Sequence, residues 1–129
     1  MKLSKEKPPI YEACAKKFGV NWKRGIIFTY GDTVHCRNTP SDQKLAHEQI
    51  HVNQQLSYGV KEWWSRYLED VEFRLSQEVE AYRAEYKWIK KNVKSYLQRE
   101  KINQIVSDLS GYIYGNIVSS EEARNLITS

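Results

Sequence analysis

Thr39-Pro40-Ser41-Asp42-Gln43-Lys44-Leu45-Ala46-His47-Glu48-Gln49-Ile50-His51 is the stretch on which the reading of this chain turns. Thr39 suits an N-cap, Pro40 suits the first helical position and Asp42 suits the first turn, so the sequence predicts a helix over 39–57, closed by Gly59. Leu45, Val52 and Leu56 mark one apolar stripe on it, with Ile50 to the side. His47 and His51 stand four residues apart and therefore share a face, where both imidazoles can meet one metal ion. Glu48 lies next to that face rather than on it. A general base must stand there to take a proton from water activated by the metal, and the chemistry expected is that of a zinc hydrolase.

A catalytic zinc needs a third protein ligand. Gln54 and Ser57 follow the pair where a further histidine would continue it, and His35 is the one other imidazole. A carboxylate is therefore expected, from among Glu62, Glu69, Asp70, Glu72, Glu78, Glu80 and Glu85. Apolar positions at Trp64, Leu68, Val71 and Leu75 predict helix throughout 61–101, divided by Ser76 as a new N-cap into 61–73 and 77–100. Glu78 falls in the apolar stripe that continues through Tyr82, Tyr86, Ile89, Val93 and Tyr96. A carboxylate there costs several kcal/mol of desolvation unless it is paired or binds a metal. Glu80 points about 200° further round the helix. Two roles stay open for Glu78: third ligand, or a carboxylate favoured by the helix N-terminus just behind Ser76.

Outside these helices, Ile26 to Cys36 alternate β-branched and aromatic residues around Gly31-Asp32, which predicts a β-hairpin over 25–37 with its turn near Tyr30–Thr33. Residues 10–18 read as a short helix stopped by Gly19, and Ser119-Ser120-Glu121-Glu122 opens a terminal helix. The lysine- and proline-rich residues 1–9 read as a flexible arm. The expected fold class is α+β: mostly helical, with a small hairpin or sheet packed on the motif helix and on a second, ligand-bearing helix, in one domain over 10–129.

At 129 residues the chain has room for one domain, and four Trp, nine Tyr and three Phe mark a globular chain and not a disordered one. No apolar run is long enough to span a bilayer, and Met1 to Pro9 contain no secretory leader, so a cytoplasmic protein with no membrane partner is expected. Cys14 and Cys36 fit free thiols of a reducing compartment, and the His35-Cys36 pair reads as hairpin side chains. Trp63, Trp64, Tyr67, Trp88 and Tyr96 read as core or as a hydrophobic interface. The net charge of +4 and pI of about 9.0 are too modest to favour a nucleic-acid partner. Lys87, Lys90, Lys91, Lys94, Arg99 and Lys101 read as a solvated face, with a surface for a nucleic acid or an acidic partner as the alternative.

His47-Glu48-Gln49-Ile50-His51, followed after 26 residues by Glu78-Val79-Glu80-Ala81-Tyr82, resembles the gluzincin-type zincin metallopeptidases. The chain's size makes it similar to the compact minigluzincins and to small metallopeptidase-like proteins encoded by phages and bacteria. The resemblance covers roughly residues 25–90. It implies zinc held by His47, His51 and Glu78, Glu48 as the catalytic base, and a peptide or protein substrate paired along the 25–37 hairpin. The chain departs from the family pattern at Tyr82, where several relatives carry an acidic residue that orients a histidine ligand. The expected function is zinc-dependent peptide-bond hydrolysis, with Tyr58, Tyr82, Arg83 or His35 as the oxyanion donor. The alternative is a non-catalytic zinc-containing interaction module that meets its partner through the basic helix 87–101.

Overall fold

The computed structural model describes residues 1–129. In chain order the elements are β1 (Lys2–Ser4), α1 (Tyr11–Phe18), β2 (Ile27–Tyr30), β3 (Thr33–Cys36), α2 (Asp42–Tyr58), α3 (Val60–Glu69), α4 (Val71–Asn92), α5 (Ser95–Leu109) and α6 (Ser120–Thr128). Single 3-10 turns occupy Trp22–Arg24 and Tyr112–Tyr114. Six helices and one small sheet make this the α+β fold expected.

β2 and β3 form the expected hairpin, and Gly31 supplies the positive φ (67°) that its two-residue turn needs. The sheet order is β1-β3-β2, with β1 parallel to β3 and β2 left as an edge. Residues 2–4 are thus a paired strand, where the sequence suggested a flexible arm. Lys2 N–H also donates to Asp32 O at 2.7 Å, which ties the chain start to the hairpin turn.

Three helix boundaries differ from expectation. Ser41, not Thr39, caps α2: its side chain accepts from Lys44 N–H at 3.2 Å, and Pro40 belongs to the extended lead-in. The break in the long helical stretch comes at Asp70, not Ser76. Asp70 is extended (φ −115°, ψ 106°) and accepts from Phe73 N–H at 3.1 Å, whereas the Ser76 hydroxyl bonds back to Phe73 O inside α4. A second break at Val93–Lys94, unmarked by Gly or Pro, splits the expected basic helix 87–101 between α4 and α5.

The buried face of α2 is not its apolar stripe. Leu56 is 86% exposed, and the buried positions are Gln43, His47, Glu48, His51, Gln54 and Gln55. Burying six polar side chains on one helix is tolerable only when partners satisfy them. Two apolar clusters flank that face. Tyr11, Cys14, Phe18, Phe28, Trp63, Trp64 and Tyr67 lie on one side; Val79, Tyr82, Ile89, Ile105, Leu109 and Ile127 lie on the other. Of the aromatic residues read as core or hydrophobic interface, Trp63, Trp64 and Tyr67 are in the core, and Tyr96, 77% exposed, is not.

Asp70→Ala is expected to destabilise the protein by about 1 kcal/mol in urea unfolding, the usual cost of losing an N-cap, while Ser76→Ala stays within about 0.5 kcal/mol of wild type. The reverse order of effects would place the helix break at Ser76.

Candidate metal centre

His47 and His51 sit one turn apart on the buried face of α2, and α4 brings Glu78 against them. The break at Asp70 puts Glu78 eight residues into α4, clear of the helix N-terminus, so it is not the capping carboxylate that one reading allowed. Its Oε1 lies 3.1 Å from His47 Nε2 and 3.2 Å from His51 Nε2, and the two Nε2 atoms are 3.1 Å apart. All three side chains are buried.

Neighbours fix which ring nitrogens face this triangle. Gln54 Nε2 donates to Gln77 O (3.1 Å) and Glu80 Oε1 (3.2 Å), so its Oε1 turns to His51 Nδ1 at 2.8 Å and accepts that proton. Glu85 Oε1 stands 3.2 Å from His47 Nδ1, and neither atom has another polar partner. With both Nδ1 atoms turned to acceptors, both Nε2 lone pairs converge with the Glu78 oxygen on one point. Three such atoms cannot satisfy one another by hydrogen bonds, because two protons aimed at Glu78 leave the Nε2–Nε2 contact unmade. A single cation satisfies all three. Ligands about 2.0–2.1 Å from a tetrahedral ion stand roughly 3.3 Å apart, close to the separations here. The triad can therefore hold one metal ion.

Protons take the cation's place in the metal-free protein. Burial opposes charge on His47, but bonds to Glu78 and Glu85 and the nearby Glu48 outweigh it and push its pKa up to about 10. His51 is raised too, by Glu78 against the same burial. Burial also works against the charge on Glu78, yet the two imidazoles hold its carboxyl well below the usual carboxylate range.

Glu48 is beside the triad and not part of it. Its Oε1 accepts from Thr29 Oγ1 on β2 at 2.9 Å, and its Oε2 is 3.8 Å from His47 Nε2. Burial, helped by the charge of Glu78, raises its pKa against the pull of the two histidines. Such a carboxylate accepts a proton more readily than an exposed one.

Several residues have supporting roles that the sequence does not reveal. Tyr67 Oη donates to Glu78 Oε2 at 2.7 Å and fixes the carboxylate's second oxygen. Gln55 clamps the hairpin to α2, donating to Thr29 O (2.8 Å) and accepting from Gly31 N–H (2.7 Å). Glu85 supplies the histidine-orienting carboxylate that Tyr82 lacks; it is itself held by Gln43 (2.6 Å) and Lys44 (3.3 Å). Spacing carried two of these signals: Gln54 is three residues past His51, and Glu85 is two turns past Glu78. Tyr67 lies beyond the helix break, so no periodicity pointed to it.

A cavity of about 330 Å³ opens beside His47 and Glu48, bounded by Ile26 and Ile27, the 112–114 turn, and Tyr82. A smaller void of about 50 Å³ reaches His51, Glu78 and Cys14. Of the four expected oxyanion donors, Tyr82 alone reaches these cavities: its ring packs edge-on to His47 (centroids 4.3 Å apart), and its hydroxyl is 2.6 Å from that of Tyr114. Tyr58 packs on Phe73, Arg83 binds Leu126 O, and His35 binds Glu6 O. Comparison with models of protein families, with curated proteins and with solved structures gives no match to this chain.

Metal uptake is expected to release protons at pH 7, because His47 with a pKa of about 10 is charged before the ion arrives and must be neutral to ligate. Affinity then rises with pH between 6 and about 10. Titration calorimetry in buffers of different ionisation enthalpy checks this; heats independent of buffer would show that no proton is displaced.

Proposed function

We propose that this protein is a zinc-dependent metallopeptidase that hydrolyses peptide bonds with Glu48 as general base. The observation that carries the reading is a triad of His47, His51 and Glu78 with a second carboxylate, Glu48, held 3.8 Å from His47 Nε2 and outside the ligand set. Two neutral imidazoles and one carboxylate are a donor set suited to zinc, and three protein ligands leave a coordination position for water or substrate. A closed structural site, as the alternative interaction module requires, needs a fourth protein ligand. His35 is engaged with Glu6 O, and Cys36 is not in the cluster.

Zinc held by the triad would supply Lewis-acid chemistry, making water acidic enough to ionise near neutral pH and polarising the scissile carbonyl. The remaining work belongs to the chain. Thr29 binds one oxygen of Glu48, which aims the other toward the attacking water; Glu48 takes that proton and delivers it to the leaving amine. β2 is an edge strand, and Thr29 turns its carbonyl outward to Gln55 and Trp64. By strand alternation Ile27 presents its backbone N–H and C=O on the same outer edge, at the cavity wall, where an extended peptide can add as a further strand. Tyr82 and Tyr114 share one proton between their hydroxyls, which leaves a second O–H to donate to the carbonyl oxygen as charge develops there.

Glu48→Gln is expected to lower turnover of a quenched-fluorescent peptide mixture by about 10²–10⁴-fold, the usual worth of a positioned base, while zinc stays bound at wild-type stoichiometry. Retention of full activity by this variant would dismiss the mechanism.

A further inference from the structure

The stretch from Arg83 to Lys101 holds seven basic and two acidic residues, so it carries more positive charge than the whole chain's +4. One of the two acids, Glu85, is buried against His47 and takes no part in the surface. Arg83, Lys87, Lys90, Lys91 and Lys94 are all exposed, and none forms an ion pair, although exposed pairs do form elsewhere at Lys2–Asp32 and Arg66–Glu62. Glu80, the exposed acid nearest these cations on α4, is engaged by Gln54 Nε2 at 3.2 Å and forms no ion pair with them, so Arg83, Lys87 and Lys90 stay unpaired.

These cations continue a groove. Leu75, Val79, Arg83, Lys87 and Lys90 follow one another at steps of four and three on one side of α4, about 22 Å end to end. Ile50 of α2 and Leu126 of α6 wall the first half, and the groove has a volume of about 650 Å³. Its floor is aliphatic at the Leu75 end, and its rim turns basic at Arg83 and Lys87. Arg83 is fixed there by donating to Leu126 O at 2.7 Å.

We infer that this groove docks a segment of another protein that presents aliphatic side chains followed by an acidic run. Aliphatic side chains fit the Leu75–Val79 floor, and carboxylates following them meet Arg83, Lys87 and Lys90 in order. A nucleic acid would gain from the cations alone, since no aromatic ring lines the groove for a base to stack on. A flat bilayer cannot enter a trough walled by two helices. None of His47, His51 and Glu78 lines the groove, so the docking site stands whatever chemistry the metal centre performs.

The test is fluorescence anisotropy with a labelled synthetic 16-residue peptide, Leu/Ala-rich in its first half and Glu-rich in its second. Matched probes carry Lys for Glu or Ser for Leu, and a short DNA duplex and anionic phospholipid vesicles are run beside them. Two variants of the full chain are used: Lys87→Glu with Lys90→Glu, and Ser76→Trp, which fills the groove from an exposed position. Both are expected to keep wild-type circular dichroism and metal content. The acidic apolar peptide is expected to bind in preference to both altered peptides, and each variant weakens it at least about tenfold, the charge-reversal variant most at low salt. No binding of that peptide below about 1 mM, equal binding of the Ser-for-Leu peptide, or tighter binding of duplex or vesicles that Ser76→Trp leaves unchanged would overturn the proposal.

Discussion

Two imidazole nitrogens and a carboxylate oxygen, each within 3.2 Å of the others in a buried space, form the constraint around which this protein is arranged. Lone pairs so placed repel unless a cation or protons lie among them. Holding them there requires an acceptor behind each ring, a donor on the far carboxylate oxygen, and two helices that do not drift apart. Gln54, Glu85 and Tyr67 meet the first two needs. Each acts by fixing the direction of a ligand atom, which is how surroundings tune a metal site without touching the ion.

The third need explains the odd construction of α2. A helix that buries its polar side and exposes Leu56 would be unstable alone, yet every buried polar group on this face has work to do. Gln43 reaches Glu85, Gln55 grips the hairpin, Gln54 bridges to α4, and Glu48 meets Thr29. The hydrophobic stabilisation is supplied by the flanking clusters, one built on Trp63, Trp64 and Tyr67 and the other on Ile89, Ile105 and Leu109. The short sheet is tied into the same network through Thr29, so an edge strand and a prospective base are positioned by one residue.

Much of this was legible in the chain, for stated physical reasons. Histidines at i and i+4 with a glutamate beside the first can be read because helical spacing is rigid, and a carboxylate at an apolar position, Glu78, advertises its own desolvation cost. The hairpin followed from Gly31-Asp32 between β-branched runs. What the sequence obscured depends on tertiary partners. The burial of Gln43, Gln54 and Gln55 on α2 left no signal, because hydropathy cannot tell a solvated glutamine from a paired one. Asp70 and Ser76 are both plausible caps, and only packing of α3 against α4 chooses. Lys2–Ser4 has no strand signal of its own and pairs because β3 offers it an edge. Tyr67 reaches Glu78 across a helix break that erases its phase.

Metal content by elemental analysis, taken on the wild-type protein and on His47→Ala and Glu78→Ala after equilibration with zinc and gel filtration, tests the central assignment most directly. One equivalent of zinc per wild-type chain, lost from both variants while each remains folded, is the result that convergence of these side chains predicts. Full zinc retention by either variant, or a wild-type chain that takes up none, would contradict it.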